Sequence, residues 1–321
     1  MTQNEETLSE RIRALHARVA HLCLEPGKGI DTMRMIQIYA GMVCELLLEY
    51  ELPGEMMASF EDDLMQALNI DSLPHFDDKA KTLPPVYILD REIEFGRSFA
   101  REITMEEWDD VHDALKTLSN LLAHDFTLWE MHHMRRAESF VLFHECLKLA
   151  LAFEFAAQDL CDILIEEKIA KEEWTLGDCI SAMSAVSGWY AGSHYGHISD
   201  KSIEAIERMD QVIFIMTQES FRLGVEGSAN WRKGLPANDT PINPPMDLIE
   251  EANPLIRKYT DFIQIDDESY IGAMIAKASG RMIAVACGGD FPEIEPAIAK
   301  PLAMMALLEA FRYQDQKRQV S

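Results

Sequence analysis

Between Arg97 and Leu176 the sequence contains neither glycine nor proline. Proline removes a helical N–H and clashes with the preceding turn, and an interior glycine costs about 1 kcal/mol relative to alanine. A long stretch that avoids both, and is rich in Leu, Ala, Phe, Met and Glu, reads as helix nearly throughout. Within it, apolar residues recur at steps of three and four: Trp108, Val111, Leu115, Leu118, Leu122, Phe126 and Trp129, then Leu142, Cys146, Leu149, Phe153, Ala156, Leu160 and Leu164. That spacing lines up one face of a helix against a neighbour. Thr104-Met105-Glu106-Glu107 has the arrangement of a capping box. One helix over 105–167 would far exceed the usual ~10–14 residues, so a break is expected near His124-Asp125 or Arg135-Arg136.

The flanking segments extend the helical reading. Residues 1–70 hold three helical patterns, the first opened by the capping box Thr7…Glu10, the second by Asp31, the third by Pro53 in its first turn. Residues 71–100 carry Pro74, Pro84 and Pro85 and read as a linker. There Val86–Leu89 and Glu92–Phe95 leave room for a short β-hairpin near 86–95, turning at Asp90-Arg91. Thr175 and Asp178 start a further helix, which is expected to end in the glycine- and aromatic-rich run Gly188–His197. A helix from Ser199 or Asp200 to about Leu223, a proline-rich loop, a helix capped by Asp247, a stretch from Ser269 to Ala286 and a last helix preceded or opened by Pro292, Pro296 and Pro301 complete the chain. The expected fold is all-α, a multi-helix bundle built on long central helices at about 97–176. Its segments would be 1–70, an N-terminal helical bundle; 71–100, linker or hairpin; 101–223, the central helical domain; 224–246, loop; and 247–321, packing on the central domain, with one continuous domain as the alternative.

Charge narrows the function. The formal net charge is −26, which disfavours direct nucleic-acid binding over most of the surface and an anionic membrane alike. No apolar run reaches the roughly 18–20 residues of a membrane span. Between Glu55 and Asp113 sixteen Asp/Glu face five Lys/Arg, a local net of −11. Such a segment is either a solvated face or a surface for a basic partner; its candidate docking acids are Glu61, Asp62, Asp63, Glu106, Asp109 and Asp110. Six scattered cysteines without a CxxC pair, and a polar N-terminus unlike a signal peptide, suit a reducing, cytoplasmic setting.

Two constellations suggest chemistry. Asp109…His112 and Glu130…His133 each have carboxylate-x-x-histidine spacing, the pattern by which helical bundles hold a divalent metal. The pairs lie 21 positions apart, about 31 Å along one helix, so a shared site requires the chain to reverse between them. The run Trp189, Tyr190, His194, Tyr195 and His197 places aromatic rings and imidazoles among glycines, a candidate ligand or partner site; its plainer explanation is an interhelical turn.

No complete catalytic motif is present. The leading expectation is therefore an acidic, soluble, helical interaction or regulatory protein, without a cofactor, that docks a protein partner, a basic or nucleic-acid-handling one included, with homo-oligomerisation open. The alternative is a metal-dependent helical-bundle hydrolase or oxidoreductase using a divalent ion. A third reading is a single-stranded nucleic-acid binder stacking bases on Trp189, Tyr190 and Tyr195.

Overall fold

The computed structural model describes residues 7–50, 53–71, 86–103, 108–130, 134–193, 203–226, 243–265, 267–288 and 293–320. Eleven α-helices are found among the described residues: α1 Leu8–Leu22, α2 Thr32–Leu47, α3 Pro53–Leu68, α4 Val86–Arg101, α5 Trp108–Glu130, α6 Arg136–Leu164, α7 Leu176–Ser193, α8 Ile203–Arg222, α9 Pro245–Phe262, α10 Glu268–Cys287 and α11 Pro296–Val320. The chain is all-α, with one two-stranded antiparallel hairpin among the described residues. It divides into two compact units: Met1–Pro84 with Ile88–Leu151, and Ala152–Ser321 with Pro85–Tyr87. The boundary falls inside α6.

The hairpin lies elsewhere than expected. It pairs β1 (Leu24–Glu25) with β2 (Gly29–Ile30), with Leu24 opposite Ile30 and Glu25 opposite Gly29. Gly27 and Gly29 make the reversal at φ +79° and +97°, a region costly for residues with a Cβ. Residues 86–95, expected as the hairpin, belong to α4. Their β-branched and aromatic content suggests strand, but Ile93, Gly96, Arg97 and Ala100 recur at helical spacing and are buried, and packing against α2 overrides local propensity.

In the first unit, α2 and α4 run parallel, since Arg34 meets Glu92, Ile38 meets Gly96, and Glu45 meets Arg97 and Arg101. Their backbones touch at two glycines: a Cβ on Gly41 would collide with the Ile93 carbonyl, and one on Gly96 with the Ile38 carbonyl. Around this crossing lies a core that includes Tyr39, Met42, Leu118, Leu122, Phe126, Phe140 and Phe143. Phe143 joins α6 to its neighbours, with ring centroids 5.9 Å from Phe60 of α3 and 6.3 Å from Phe126 of α5.

The second unit is built around α7. It is packed against α8, α9, α10 and α11, and its small residues let them approach. Ser184 Oγ lies 2.5 Å from Ser279 Oγ, Ser187 Oγ donates to the Gly272 carbonyl at 2.8 Å, and Gly188 sits against the Leu307 carbonyl. Gly188 and Gly192 were expected to end this helix. Both are inside it, Gly188 being a contact point and not a breaker. Helix α10 is long and apolar enough to cross a membrane by composition, with mean hydropathy 1.2 over Tyr270–Cys287, yet 78% of that window is buried within the protein. It also carries buried Lys277, so it reads as a core helix.

Local signals account for the starts of α1, α2, α7 and α9. The capping box of α1 forms, with Glu10 N–H donating to Thr7 Oγ1 (3.3 Å) and Thr7 N–H to Glu10 (2.9 Å). Asp31 accepts from Arg34 N–H at 3.0 Å, and Asp178 and Thr175 cap α7 reciprocally. Helix α9 starts earlier than expected, at Pro245, because proline suits a first turn that needs no N–H partner. The central run breaks between Glu130 and Arg136, the second of the two expected places; the capping box expected at Thr104–Glu107 and the helix start at Ser199 or Asp200 lie outside the described residues. Helix α6 ends in a π-helical turn, Ile165–Ile169, that aims Lys168 at Glu173 (2.8 Å), Glu251 (2.7 Å) and the face of Trp174.

Candidate functional site

The acidic segment runs through α3, α4 and the start of α5, and α3 packs on α5. On α3, Phe60, Leu64 and Leu68 turn inward at helical spacing, which sends Asp62 and Asp63 to solvent. Neither takes part in an ion pair among the described residues. Glu61 is different: its side chain is 13% exposed and its Oε1 accepts from Nδ1 of His144 on α6 at 2.7 Å. That hydrogen bond raises the His144 pKa above its ordinary value; burial opposes the shift and Glu145 adds to it. Asp110 is half-buried at the start of α5, while Glu106 and the side chain of Asp109 lie outside the described residues.

The proposed metal ligands are dispersed where they are described. His112 and Glu130 sit exposed on the same unbroken α5, 18 positions or about 27 Å apart. The chain does not reverse between them. His133 lies outside the described residues. No group of three or more His, Cys, Asp or Glu that could hold a metal ion occurs among the described residues. Two described imidazoles are instead bound to single carboxylates. One is His144; the other is His16 of α1, whose Nε2 is 3.0 Å from Asp125 Oδ2 on α5, an oxygen that Tyr39 also approaches at 3.5 Å.

Of the aromatic group, Trp189 and Tyr190 are on α7. Tyr190 is buried: its hydroxyl donates to Asn253 Oδ1 at 2.7 Å, and the Arg257 guanidinium lies 4.8 Å from its ring centroid. Trp189 stacks with Tyr313 of α11, centroids 6.2 Å apart. These contacts fasten α7 to α9 and α11, and His194, Tyr195 and His197 lie outside the described residues.

What the sequence did not single out is two buried charge networks. In the first unit Arg97, fully buried, donates from Nε to Glu45 (2.6 Å) and from Nη1 to Glu94 (3.0 Å), while Arg101 donates to the other Glu45 oxygen (2.8 Å). Burial alone raises the Glu45 pKa, but Arg97 and Arg101 more than offset it and leave it below the ordinary carboxylate range. In the second unit buried Glu219 receives Arg222 through both oxygens (2.9 and 2.6 Å) and faces Arg281 (2.9 Å). Glu154 of α6 joins them through Arg222 (2.7 Å), Arg281 and Lys277 (3.4 Å). Gln158, one turn on, accepts from Arg281 at 2.8 Å. Glu154 and Gln158 lie at i, i+4 spacing on α6, but nothing local identifies their cationic partners on α8 and α10.

Such networks fix the register of helices: removing one member leaves a buried charge uncompensated, at a cost of about 3–5 kcal/mol. They are thus bound up in structure, whereas Asp62 and Asp63 of α3 are not. Comparison with protein-family models, with curated proteins and with solved structures finds no match.

Proposed function

We propose that this chain is an acidic docking or regulatory protein that engages a basic protein partner through the outward face of α3. The reading is carried by the contrast in how carboxylates are used. Buried Glu94, Glu154 and Glu219 are matched by arginine or lysine, whereas Asp62 and Asp63 stand exposed with no described cation against them. Exposed like charges side by side cost stability through mutual repulsion, and they raise the local potential that attracts a basic segment. The formal charge of −26 strengthens that steering.

The test separates this face from bulk charge. Binding of decalysine at low salt is compared between D62N/D63N and E250Q/D261N, the latter removing two exposed acids from α9. The α3 pair is expected to weaken binding several-fold more than the α9 pair, with the difference fading as salt is added. Equal loss in both would reduce the effect to net charge and reject the proposed surface.

A further inference from the structure

Glu61 was expected to be a docking acid, yet it is the one member of the run Glu61-Asp62-Asp63 that points inward, to His144. The contact stands beside the Phe60–Phe143 ring pair, so two successive residues of α3 are fastened to two successive residues of α6. One fastening is apolar and indifferent to pH. The other joins a carboxylate to the side chain that changes charge nearest neutrality. The His144 side chain is 20% exposed, which leaves a route for proton exchange without removing the bond from a partly desolvated setting.

We infer that the His144–Glu61 bond is a protonation-sensitive pin, setting both how firmly α3 is seated and how much negative charge stands beside Asp62 and Asp63. This rests on the docking reading for its second half only. With His144 protonated, the bond is charge-assisted and Glu61 is neutralised beside Asp62 and Asp63. With His144 neutral, the ring N–H still donates, the ionic part of the attraction is gone, and one more uncompensated negative charge stands beside Asp62 and Asp63. The charged groups acting on the ring are Glu61 from α3 and Glu145 and Lys148 from α6 itself; Glu145 reinforces the protonated form and Lys148 opposes it. Docking of a basic segment therefore strengthens, and α3 loosens, as His144 loses its proton.

Three measurements on the full chain test this. NMR titration of the His144 ring is compared between wild type and E61Q, with the midpoint expected to fall in the variant. Amide exchange of α3, taken relative to intrinsic rates, is measured from pH 5.5 to 8.5 in wild type and H144N, where the asparagine amide keeps a donor near the Nδ1 position but does not titrate. Opening is expected to rise with pH in wild type and to stay flat in H144N. Decalysine affinity is expected to rise about threefold across the same range in wild type, the effect of one unit charge at the separation of neighbouring residues in water, with that step missing in H144N. His112 and His124 are retained in both proteins, so the difference isolates His144. An unmoved midpoint in E61Q overturns the pin. A pH step that persists in H144N overturns the coupling to docking while leaving the docking face intact. Failure of decalysine to bind at any pH removes the docking reading and the coupling with it, and the titration and exchange results still decide whether the pin exists.

Discussion

Gly96 rests directly on the carbonyl of Ile38, closer than any residue with a side chain could lie. Gly41 does the same to Ile93 from the opposite side of the crossing. Parallel helices held at this distance gain dispersion and weak Cα–H···O contacts along their length. The ion pairs at the two ends, Arg34–Glu92 at 2.9 Å and Arg97–Glu45 at 2.6 Å, hold the register that keeps each glycine opposite its carbonyl.

Gly96→Ala is expected to destabilise the first unit by about 3 kcal/mol, at the upper end of overpacking costs, because backbone and not a flexible side chain must yield. Denaturant unfolding read from amide exchange of α2 and α4 checks it. An effect below about 1 kcal/mol, the size of an ordinary helical substitution, would show that the two helices are not in contact there.

Arg97→Met is expected to cost about 3–5 kcal/mol by leaving buried Glu94 and half-buried Glu45 with one fewer partner, while Arg101→Met costs about 1 kcal/mol because its side chain is 35% exposed and water substitutes for it. The pH dependence follows the sign of the Glu45 shift. Its folded pKa is depressed, so its contribution is fully present above the unfolded value of about 4.3 and disappears as pH falls through the lower folded value. Acid unfolding of the first unit should accordingly begin below about pH 4, and Glu45→Gln should flatten that limb. A limb of unchanged steepness would assign acid lability elsewhere.

In the second unit, Glu219 and Glu154 share Arg222, Arg281 and Lys277. A double-mutant cycle of Glu154→Gln with Arg281→Met should therefore be strongly non-additive, with a coupling of about 1–3 kcal/mol. Additive losses would mean that the two residues act separately.

Thiol chemistry provides an independent check on the core. Burial pushes Cys23, Cys146 and Cys179 up to about 12, and Cys161 upward as well. Cys44 is also buried, and Cys287 is the one partly exposed thiol. A thiol reagent at pH 8 should label Cys287 in the native protein and reach the other five only on unfolding. Rapid native labelling at Cys146 or Cys161 would contradict the packing of α6.

Local signals along the chain specified the helices other than α4. The absence of glycine and proline from Arg97 to Leu176, the apolar steps of three and four, and side-chain caps at Thr7, Asp31 and Asp178 are local, since a helix closes its hydrogen bonds within four residues. That is why α1 to α3, and the break between α5 and α6, were legible. Sequence reasoning failed where one residue type serves opposite ends depending on its neighbours. Gly188 and Gly96 resemble helix breakers until a second backbone lies against them, and Glu92–Phe95 resembles strand until α2 packs against Glu92 and Ile93. The same holds for charge. Glu61 and Asp62 are adjacent acids in one helix, and only the arrival of His144, 83 positions away, makes one an internal anchor and leaves the other at the surface. Which carboxylates stay exposed to meet a partner was decided by tertiary structure, because pairing between distant residues depends on which helix faces are brought together and not on the spacing along any one of them.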